Sequence, residues 1–290
     1  MKRIVLFILT NLAIELMLTI VARLTGLDAW LANQGSSLGG LLVFAAFFGF
    51  LGSLISLAMS KWLAKRTMGV RVIDAPASPA EQSLLDTVRS LAQQAGIGMP
   101  EVGIFDSPQP NAFATGARRD SALLAVSSGL LSTMNQSEIQ AVLGHEITHI
   151  ANGDMVTLAL LQGVVNTFVI FLSRIVGNIV DRSISRDSDG RGAAYFVTVL
   201  VTQLVLGLLA SMIVMWYSRQ REFRADAGGA QLAGRDKMIA ALQRLMHAHD
   251  DPLPAQFKAF GIAGGEGAGW QRLFMSHPPL EERIARLRAA

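Results

Sequence analysis

The chain lacks cysteine altogether and is poor in charged residues. Without cysteine it can have neither a disulfide framework nor a thiol nucleophile. Asp, Glu, Lys and Arg together supply 16% of the residues, whereas they supply about 25% of an average soluble domain. The formal net charge is only +3, so the chain also lacks the basic excess that is typical of nucleic-acid-binding proteins. We therefore expect no thiol chemistry and no nucleic-acid partner.

Hydrophobic residues are abundant instead. They make up 51% of the chain, and the mean hydropathy is +0.40. These values predict a membrane protein with a modest soluble part and the lipid bilayer as a partner. Four apolar stretches can each supply the roughly 20 residues that a spanning helix needs. They are Ile4 to about Ala22, Leu38 to Met59, Met155 to Ser173 and Gly192 to Ser218.

The first apolar stretch admits two interpretations. Lys2 and Arg3 precede it, as in a cleavable signal peptide, but no small-residue cleavage site is followed by a plausible soluble start. We therefore expect a membrane helix. Glu15 interrupts this helix, and an ionisable residue at membrane depth by default has a function and faces other helices or water. The alternative is a polar residue that is tolerated in an N-terminal anchor, or one that packs in its protonated form against Asn11.

Positive residues indicate how the chain is oriented in the membrane. Residues 25–37 carry none, whereas four follow the second apolar stretch: Lys61, Lys65, Arg66 and Arg71. By the positive-inside rule, the N-terminus and the segment from Lys61 onward both lie in the cytoplasm.

A five-residue motif, His-Glu-Ile-Thr-His, occupies residues 145–149. On a helix, positions i and i+4 project from one face, so His145 and His149 can bind one zinc ion. Glu146 then lies beside the open coordination position, which is the arrangement of a metallopeptidase. Because both histidines lie toward one edge of the helix's apolar stripe, periodicity alone leaves open that they are merely residues of the helix surface.

A catalytic zinc ion of this class needs a third protein ligand. Residues 219–226 are predicted to be helical, and they place Glu222 and Asp226 on one face. Glu222 can serve as the third ligand. Asp226 can serve as a hydrogen-bond acceptor that orients a histidine through its other ring nitrogen. Alternatively, both carboxylates form surface ion pairs with neighbouring arginines.

The chain between the two halves of this site must leave and return to the same side of the membrane. The third and fourth apolar stretches achieve this if the polar loop Asp181 to Arg191 joins them, whether they span the bilayer or lie in its interface. We therefore expect the active site close to the membrane surface.

These residues predict a peptidase mechanism. Zinc activates a water molecule and polarises the scissile carbonyl, while Glu146 takes the proton of the water and passes it to the leaving amine. Glu146 is thus the general base and not a ligand.

The soluble segments predict helices and a small sheet. A helix is expected over Ala80 to Ala95, and the motif helix is expected to begin at Asn135 with Glu138 in a capping box. Val102 to Phe105 and Ala122 to Val126 are strand-like. Between these strands, a predicted strand edge would bind an extended substrate through backbone hydrogen bonds. Its residues are Asn111, Ala112, Phe113 and Ala114.

Four separated motifs give the chain a resemblance to the HtpX family of membrane zinc peptidases. They are His-Glu-Ile-Thr-His-Ile-Ala-Asn-Gly-Asp from 145, Arg-Glu-Phe-Arg-Ala-Asp from 221, Asn-Ala-Phe-Ala from 111 and Ser-His-Pro-Pro from 276. That family is related to the CAAX prenyl proteases and shares the gluzincin metal site. The resemblance implies a multi-pass endopeptidase of the bacterial inner membrane with one zinc ion per chain and an active site facing the cytoplasm. Its implied substrates are unfolded, misfolded or damaged membrane proteins, degraded for quality control during stress.

The resemblance also implies a role for His277. In related peptidases, a histidine in a His-Pro motif near the C-terminus approaches the metal site. His277 would then stabilise the tetrahedral intermediate or cap the zinc ion in a resting state. The alternative is a loop histidine that orients the final helix, Leu280 to Leu287.

The expected fold is a mainly α integral membrane protein with about four apolar helices and a gluzincin-like α+β peptidase domain whose small sheet has an exposed edge. The expected segments are a transmembrane pair (1–60), the first part of the peptidase domain with the zinc-motif helix (61–154), a hydrophobic hairpin (155–218) and the second part with the third ligand (219–290). The sequence leaves open whether the chain forms homo-oligomers.

Two other functions fit part of this pattern. One is a narrow-specificity processing protease of the prenyl-protease type, although four apolar stretches are few for a large enclosed chamber. The other is a non-catalytic membrane scaffold whose helix only resembles a zinc motif.

Overall fold

The computed structural model describes residues 38–184, 192–247 and 273–290. The first apolar stretch, with Glu15, lies outside the described residues. The chain divides into two compact units, each built from two separated stretches of sequence. One unit comprises the residues up to Ile55 and Leu160–Ser211; the other comprises Ser56–Ala159 and Met212–Ala290.

Helices dominate the described part of the chain. In chain order the elements are α1 (Leu38–Met68), β1 (Arg71–Val72), α2 (Pro79–Gln94), β2 (Glu101–Phe105), β3 (Ala112–Thr115), a 3-10 turn (Arg119–Ser121), β4 (Leu123–Ser127), α3 (Ser128–Thr133), α4 (Gln136–Asn152), α5 (Asp154–Ile184), α6 (Ala193–Ala233), α7 (Arg235–His247) and α8 (Leu280–Ala289).

Three helices, α1, α5 and α6, are long and apolar enough to span a membrane. Their apolar side chains face outward, as in Phe168, Phe196 and Leu208, which are 57%, 63% and 60% exposed. A helix that is apolar all round needs a non-aqueous surrounding, which lipid supplies. Three of the four predicted apolar stretches are thus confirmed as helices, and with the small sheet they confirm the predicted fold class.

These helices are longer than predicted. Helix α5 continues through Asp181, which was expected to begin the polar loop. The residues that extend α5 beyond Ser173 include Ile175, Val176, Ile179 and Val180, an apolar spacing that suits a helix. The carboxylate of Asp181 is buried and accepts a hydrogen bond from the backbone N–H of Gly192 at 3.4 Å.

The sheet has four strands in the order β1-β2-β4-β3. Strand β2 runs parallel to β4, whereas β1 and β3 run antiparallel to their neighbours. Among the described strands, β3 therefore lies at one end of the sheet and pairs with β4 alone, with Ala112 opposite Val126 and Ala114 opposite Leu124. This end position agrees with the strand edge predicted there.

The hydrophobic core covers both faces of β4, which is buried along its whole length. On one face, α2 and α4 contribute Val88, Leu91, Val142, Leu143 and Ile147 to a cluster with Leu124 and Val126. On the other face, Ala64 and Met68 at the end of α1 join Phe105, Phe113, Leu123 and Ala125. The sheet thus holds the α4 helix on one side and the end of α1 on the other.

Two of the positive residues that follow the second apolar stretch also have structural partners. The amino groups of Lys61 and Lys65 lie 2.6 and 2.5 Å from separate oxygens of Glu101, the first residue of β2. Lys61 also donates to the backbone carbonyl of Ser121 at 2.9 Å. These contacts connect the end of α1 to the sheet.

Candidate metal centre

Helix α4 carries the His-Glu-Ile-Thr-His motif into the interior. It begins at the predicted capping box, in which Asn135 accepts from the backbone N–H of Glu138 and the Glu138 carboxylate accepts from that of Asn135. It ends at Gly153, whose left-handed φ of 67° is the usual helix stop. Both motif histidines are buried, so they are not residues of the helix surface.

The part of α6 beyond its apolar segment carries the two carboxylates. Glu222 and Asp226 are one helical turn apart, and both are buried. Surface ion pairs with neighbouring arginines, the alternative for these residues, would leave the carboxylates exposed. The structure instead brings Glu222 into contact with both motif histidines.

The three expected ligands form a triangle of suitable size. The two Nε2 atoms of His145 and His149 are 3.1 Å apart, and they lie 3.5 and 3.3 Å from separate oxygens of Glu222. A tetrahedral zinc ion with bonds of about 2.0–2.1 Å separates its ligand atoms by about 3.3 Å. The three residues therefore place donor atoms close enough together to hold one metal ion.

The electrostatics of this site favour a cation. Neither oxygen of Glu222 receives a well-aligned hydrogen bond among the described residues, although the carboxylate is fully buried. Burial lowers the pKa of His149, but the charge of Glu222 and a hydrogen bond to Asp154 outweigh it and raise this pKa to about 9. The pKa of His145 is also raised, because hydrogen bonds to Asp226 and Glu222 outweigh burial. The donor set and its charge thus fit a divalent metal ion.

Each histidine is oriented through its other ring nitrogen. Nδ1 of His145 lies 3.0 Å from Asp226, as expected, and Nδ1 of His149 lies 2.6 Å from Asp154. Such carboxylates fix the ring so that Nε2 faces the metal. The sequence interpretation assigned no role to Asp154, although it is the first charged residue after the motif and directly precedes the third apolar stretch.

Arg283 was also missed. It is fully buried in α8 and forms a bidentate pair with Asp226, with Nη2 at 2.6 Å and Nε at 2.8 Å from its two oxygens. Burial lowers the pKa of Arg283, but the Asp226 carboxylate outweighs it and raises this pKa above its ordinary value. A signal existed in the sequence, because Arg283 shares one helical face with Leu280, Ile284 and Leu287.

Glu146 and His277 both lie close to the ligand triangle. Glu146 is buried on the motif helix, and no described residue forms a hydrogen bond or ion pair with its carboxylate. Nδ1 of His277 lies 2.9 Å from an oxygen of Glu222. The loop before His277 is held by Arg219, which donates to the carbonyls of Met275 and Leu273 at 2.8 and 3.4 Å.

The strand predicted to bind the substrate, β3, adjoins the motif helix. Ala112, Phe113 and Ala114 belong to β3, which packs against α4. Asn111 lies just before β3 and is buried, and its side-chain Nδ2 has no acceptor among the described residues. A buried amide without an acceptor is unusual, because leaving it unpaired costs about 1–3 kcal/mol.

Glycines permit the close crossing of α4 and α6 that brings the ligands together. A Cβ atom on Gly229 would lie 2.9 Å from the backbone nitrogen of His145 and 3.1 Å from its Cα. On Gly228 it would overlap Cγ2 of Thr148. The spacing of the two helices, and therefore of His145 from Glu222, depends on these small residues.

We expect Gly229→Ala to weaken metal binding. Its methyl group can be accommodated only if α4 moves away from α6, which should destabilise the fold by about 1–3 kcal/mol and lower metal affinity about 10- to 100-fold, the range for residues that orient ligands. Competition with a chelator measures the affinity. Gly207→Ala is the matched control in α6, since nothing lies within 4 Å of its Cβ position. Equal affinity in both variants would contradict this role.

Comparisons with known proteins agree with this geometry. The model of peptidase family M48 matches residues 79–290. The "Protease HtpX homolog" of Thiobacillus denitrificans is 64% identical over 289 residues, covering 100% of this chain and 99% of that protein. "Protease HtpX" of Nitrosococcus oceani is 63% identical and covers 99% of each chain. The crystal structure of S. mikatae Ste24p has a similar fold, with a TM-score of 0.62 at 18% identity over 98% of this chain and 67% of that one. Neither alternative function is favoured by these similarities.

Proposed function

The chain belongs to peptidase family M48, and from this premise we propose that His145, His149 and Glu222 bind the single zinc ion of a membrane endopeptidase. That it is a membrane-associated metallopeptidase follows from its full-length similarity to the HtpX proteases. One observation carries the assignment of the ligands. The Nε2 atoms of the two histidines are 3.1 Å apart, and each lies 3.3 to 3.5 Å from an oxygen of the Glu222 carboxylate, a spacing that suits ligands of one zinc ion.

The proposed catalytic role of each residue follows from the position of its side chain. When bound, zinc supplies Lewis acidity toward a water molecule and the scissile carbonyl. Glu146 removes the proton of the water and delivers it to the leaving amine, since its buried carboxylate forms no hydrogen bond or ion pair with a described residue. His277 stabilises the developing oxyanion. Asp226 and Asp154 hold the two histidine rings in the binding tautomer.

We propose that substrates bind as an extended strand against β3. The edge of β3 that pairs with no described strand offers backbone donors and acceptors whatever the substrate sequence. Nδ2 of Asn111 is a buried donor with no acceptor among the described residues. Backbone recognition suits unfolded or damaged membrane proteins, because it requires extended chain more than a particular side chain.

The proposed location is the bacterial inner membrane, with the active site in the cytoplasm. The basic residues after the second apolar stretch support this orientation. Trp62 and Trp216 are 60% and 56% exposed, as expected of aromatic residues in a membrane interface. In this proposal, 61–154 and 219–290 form one peptidase domain, and 1–60 and 155–218 are its membrane segments.

Metal analysis of Glu222→Ala tests the ligand set. Wild-type protein purified in detergent should contain about one zinc ion per chain, and its peptidase activity should disappear on chelation and return with added zinc. Glu222→Ala should lose most of its zinc, because two histidines alone bind this metal weakly. Glu281→Ala, an exposed carboxylate of α8, is the matched control and should keep its zinc. Stoichiometric zinc in Glu222→Ala would refute the assignment.

A further inference from the structure

A cavity with two arginines lies just beyond the end of β3, the strand that we propose binds the substrate. Its volume is about 320 Å³, and its lining includes Arg118, Arg119, Ile150, Gly153 and Val156. This volume is at the lower end for small-molecule sites. The cavity therefore suits one or two side chains of a peptide better than a large ligand.

The two arginines bring uncompensated positive charge to this cavity. Arg118 and Arg119 are exposed, and among the described residues no carboxylate forms an ion pair with either of them. Asp120, their neighbour in sequence, instead accepts from the backbone N–H of Gly98 at 3.0 Å. The guanidinium group of Arg119 is directed over Gly153, where its Nε and Nη2 lie 3.6 Å from the Cβ position. Arg119 thus lies against the turn that ends the motif helix.

The floor of the cavity is apolar. Ile150 and Ala122 are almost completely buried, and Met155 and Val156 complete this surface. An apolar floor below guanidinium groups fits a side chain with an aliphatic stem and a terminal carboxylate. Glutamate has this combination, and arginine can bind its carboxylate in a bidentate manner.

The position of the cavity defines which part of a substrate reaches it. Gly116 of the lining directly follows β3, and Ile150 directly follows the proposed ligand His149. A substrate strand that pairs antiparallel with β3, the commoner arrangement, runs from the Thr115 end toward the Ala112 end. The substrate residues near the cavity therefore precede those that pair with β3. They also precede a scissile bond that lies within this paired segment.

We propose that the Arg118–Arg119 cavity is a specificity subsite for an acidic side chain, above all glutamate, on the amino-terminal side of the scissile bond. The inference rests on the proposed function, because it requires substrate to bind along β3. It adds a charge preference to backbone recognition that is otherwise tolerant of sequence.

Cleavage of a peptide series in uncharged detergent tests this subsite. One residue at a time before the scissile bond is changed to Glu, Gln or Lys, and kcat/KM is measured. At one position we expect Glu to exceed Gln about tenfold and Lys to be the poorest substrate. The double variant Arg118→Gln/Arg119→Gln should lose this preference, so that its kcat/KM values for the Glu and Gln peptides become equal. Arg119→Glu should shift the preference toward Lys. Arg288→Gln, an exposed arginine of α8, should keep the wild-type preference.

The outcomes separate the subsite from the proposed function. Zinc-dependent cleavage of the Gln peptides by the wild-type protein tests the peptidase itself. Equal cleavage of Glu and Gln peptides at every position, or a preference that persists in the double variant, would overturn the subsite. A third outcome would also overturn the subsite. In it, the double variant keeps its peptide selectivity but binds phosphatidylglycerol vesicles no better than phosphatidylcholine vesicles, because the arginines would then bind lipid headgroups.

Discussion

Glu146→Gln should lower kcat/KM for peptide hydrolysis by about 10²- to 10⁴-fold, the usual contribution of a general acid–base group. Glutamine has nearly the same shape as glutamate but cannot accept the proton of the attacking water. The three proposed ligands are untouched, so the variant should still contain about one zinc ion per chain. Steady-state kinetics on an unfolded protein substrate, together with metal analysis of the same preparation, measures both quantities.

The control for this variant lies in the same helix. Glu138 closes the capping box of α4, and glutamine is equally suited to that position. Glu138→Gln should therefore retain nearly full activity and zinc, which distinguishes the loss of a base from a disturbed helix. Wild-type activity in Glu146→Gln would show that another group is the base.

Arg283→Met should destabilise the protein by about 3–5 kcal/mol, because it leaves buried carboxylates without their counter-charge. Arg283 binds both oxygens of Asp226, and its Nη1 lies 3.9 Å from Glu222. For a chain of this size the loss corresponds to a melting temperature lower by roughly 10 °C. Thermal unfolding followed by circular dichroism in detergent measures the change, with metal content held equal.

Two further variants distinguish a lost charge from lost packing. Asp226→Asn combined with Arg283→Met removes both charges and should recover much of the stability, since buried pairs can often be replaced at little cost. Arg288→Met, on the exposed side of α8, should change stability by no more than about 0.5 kcal/mol. A double variant as unstable as Arg283→Met alone would mean that the methionine disrupts packing.

Features with a local cause could be predicted from the sequence. The motif helix with its cap and stop, the three described apolar helices and the strands near 102–105 and 122–126 all follow from patterns within a few residues. The proposed ligands also followed from helical spacing, because residues four apart project from one face. The end of α5 was misjudged, since Asp181 was taken to begin the polar loop, whereas the helix continues to Ile184.

Features that depend on tertiary contacts could not be predicted in the same way. Asp154 acquires its partner only because the turn at Gly153 directs the first residue of α5 back toward His149. Arg283 meets Asp226 across 57 residues of sequence, and no local pattern specifies that distance. The glycine crossing at Gly228 and Gly229 likewise becomes visible only when α4 and α6 are packed together.

The order of the proposed ligands along the chain bears on when the enzyme becomes active. His145 and His149 are synthesised before the apolar segments of α5 and α6, whereas Glu222 follows them. A nascent chain that has not completed this hairpin carries two histidines without their carboxylate. If these three residues are the ligands, the metal centre cannot be complete before α6 has been synthesised, so a partly synthesised chain would have no peptidase activity.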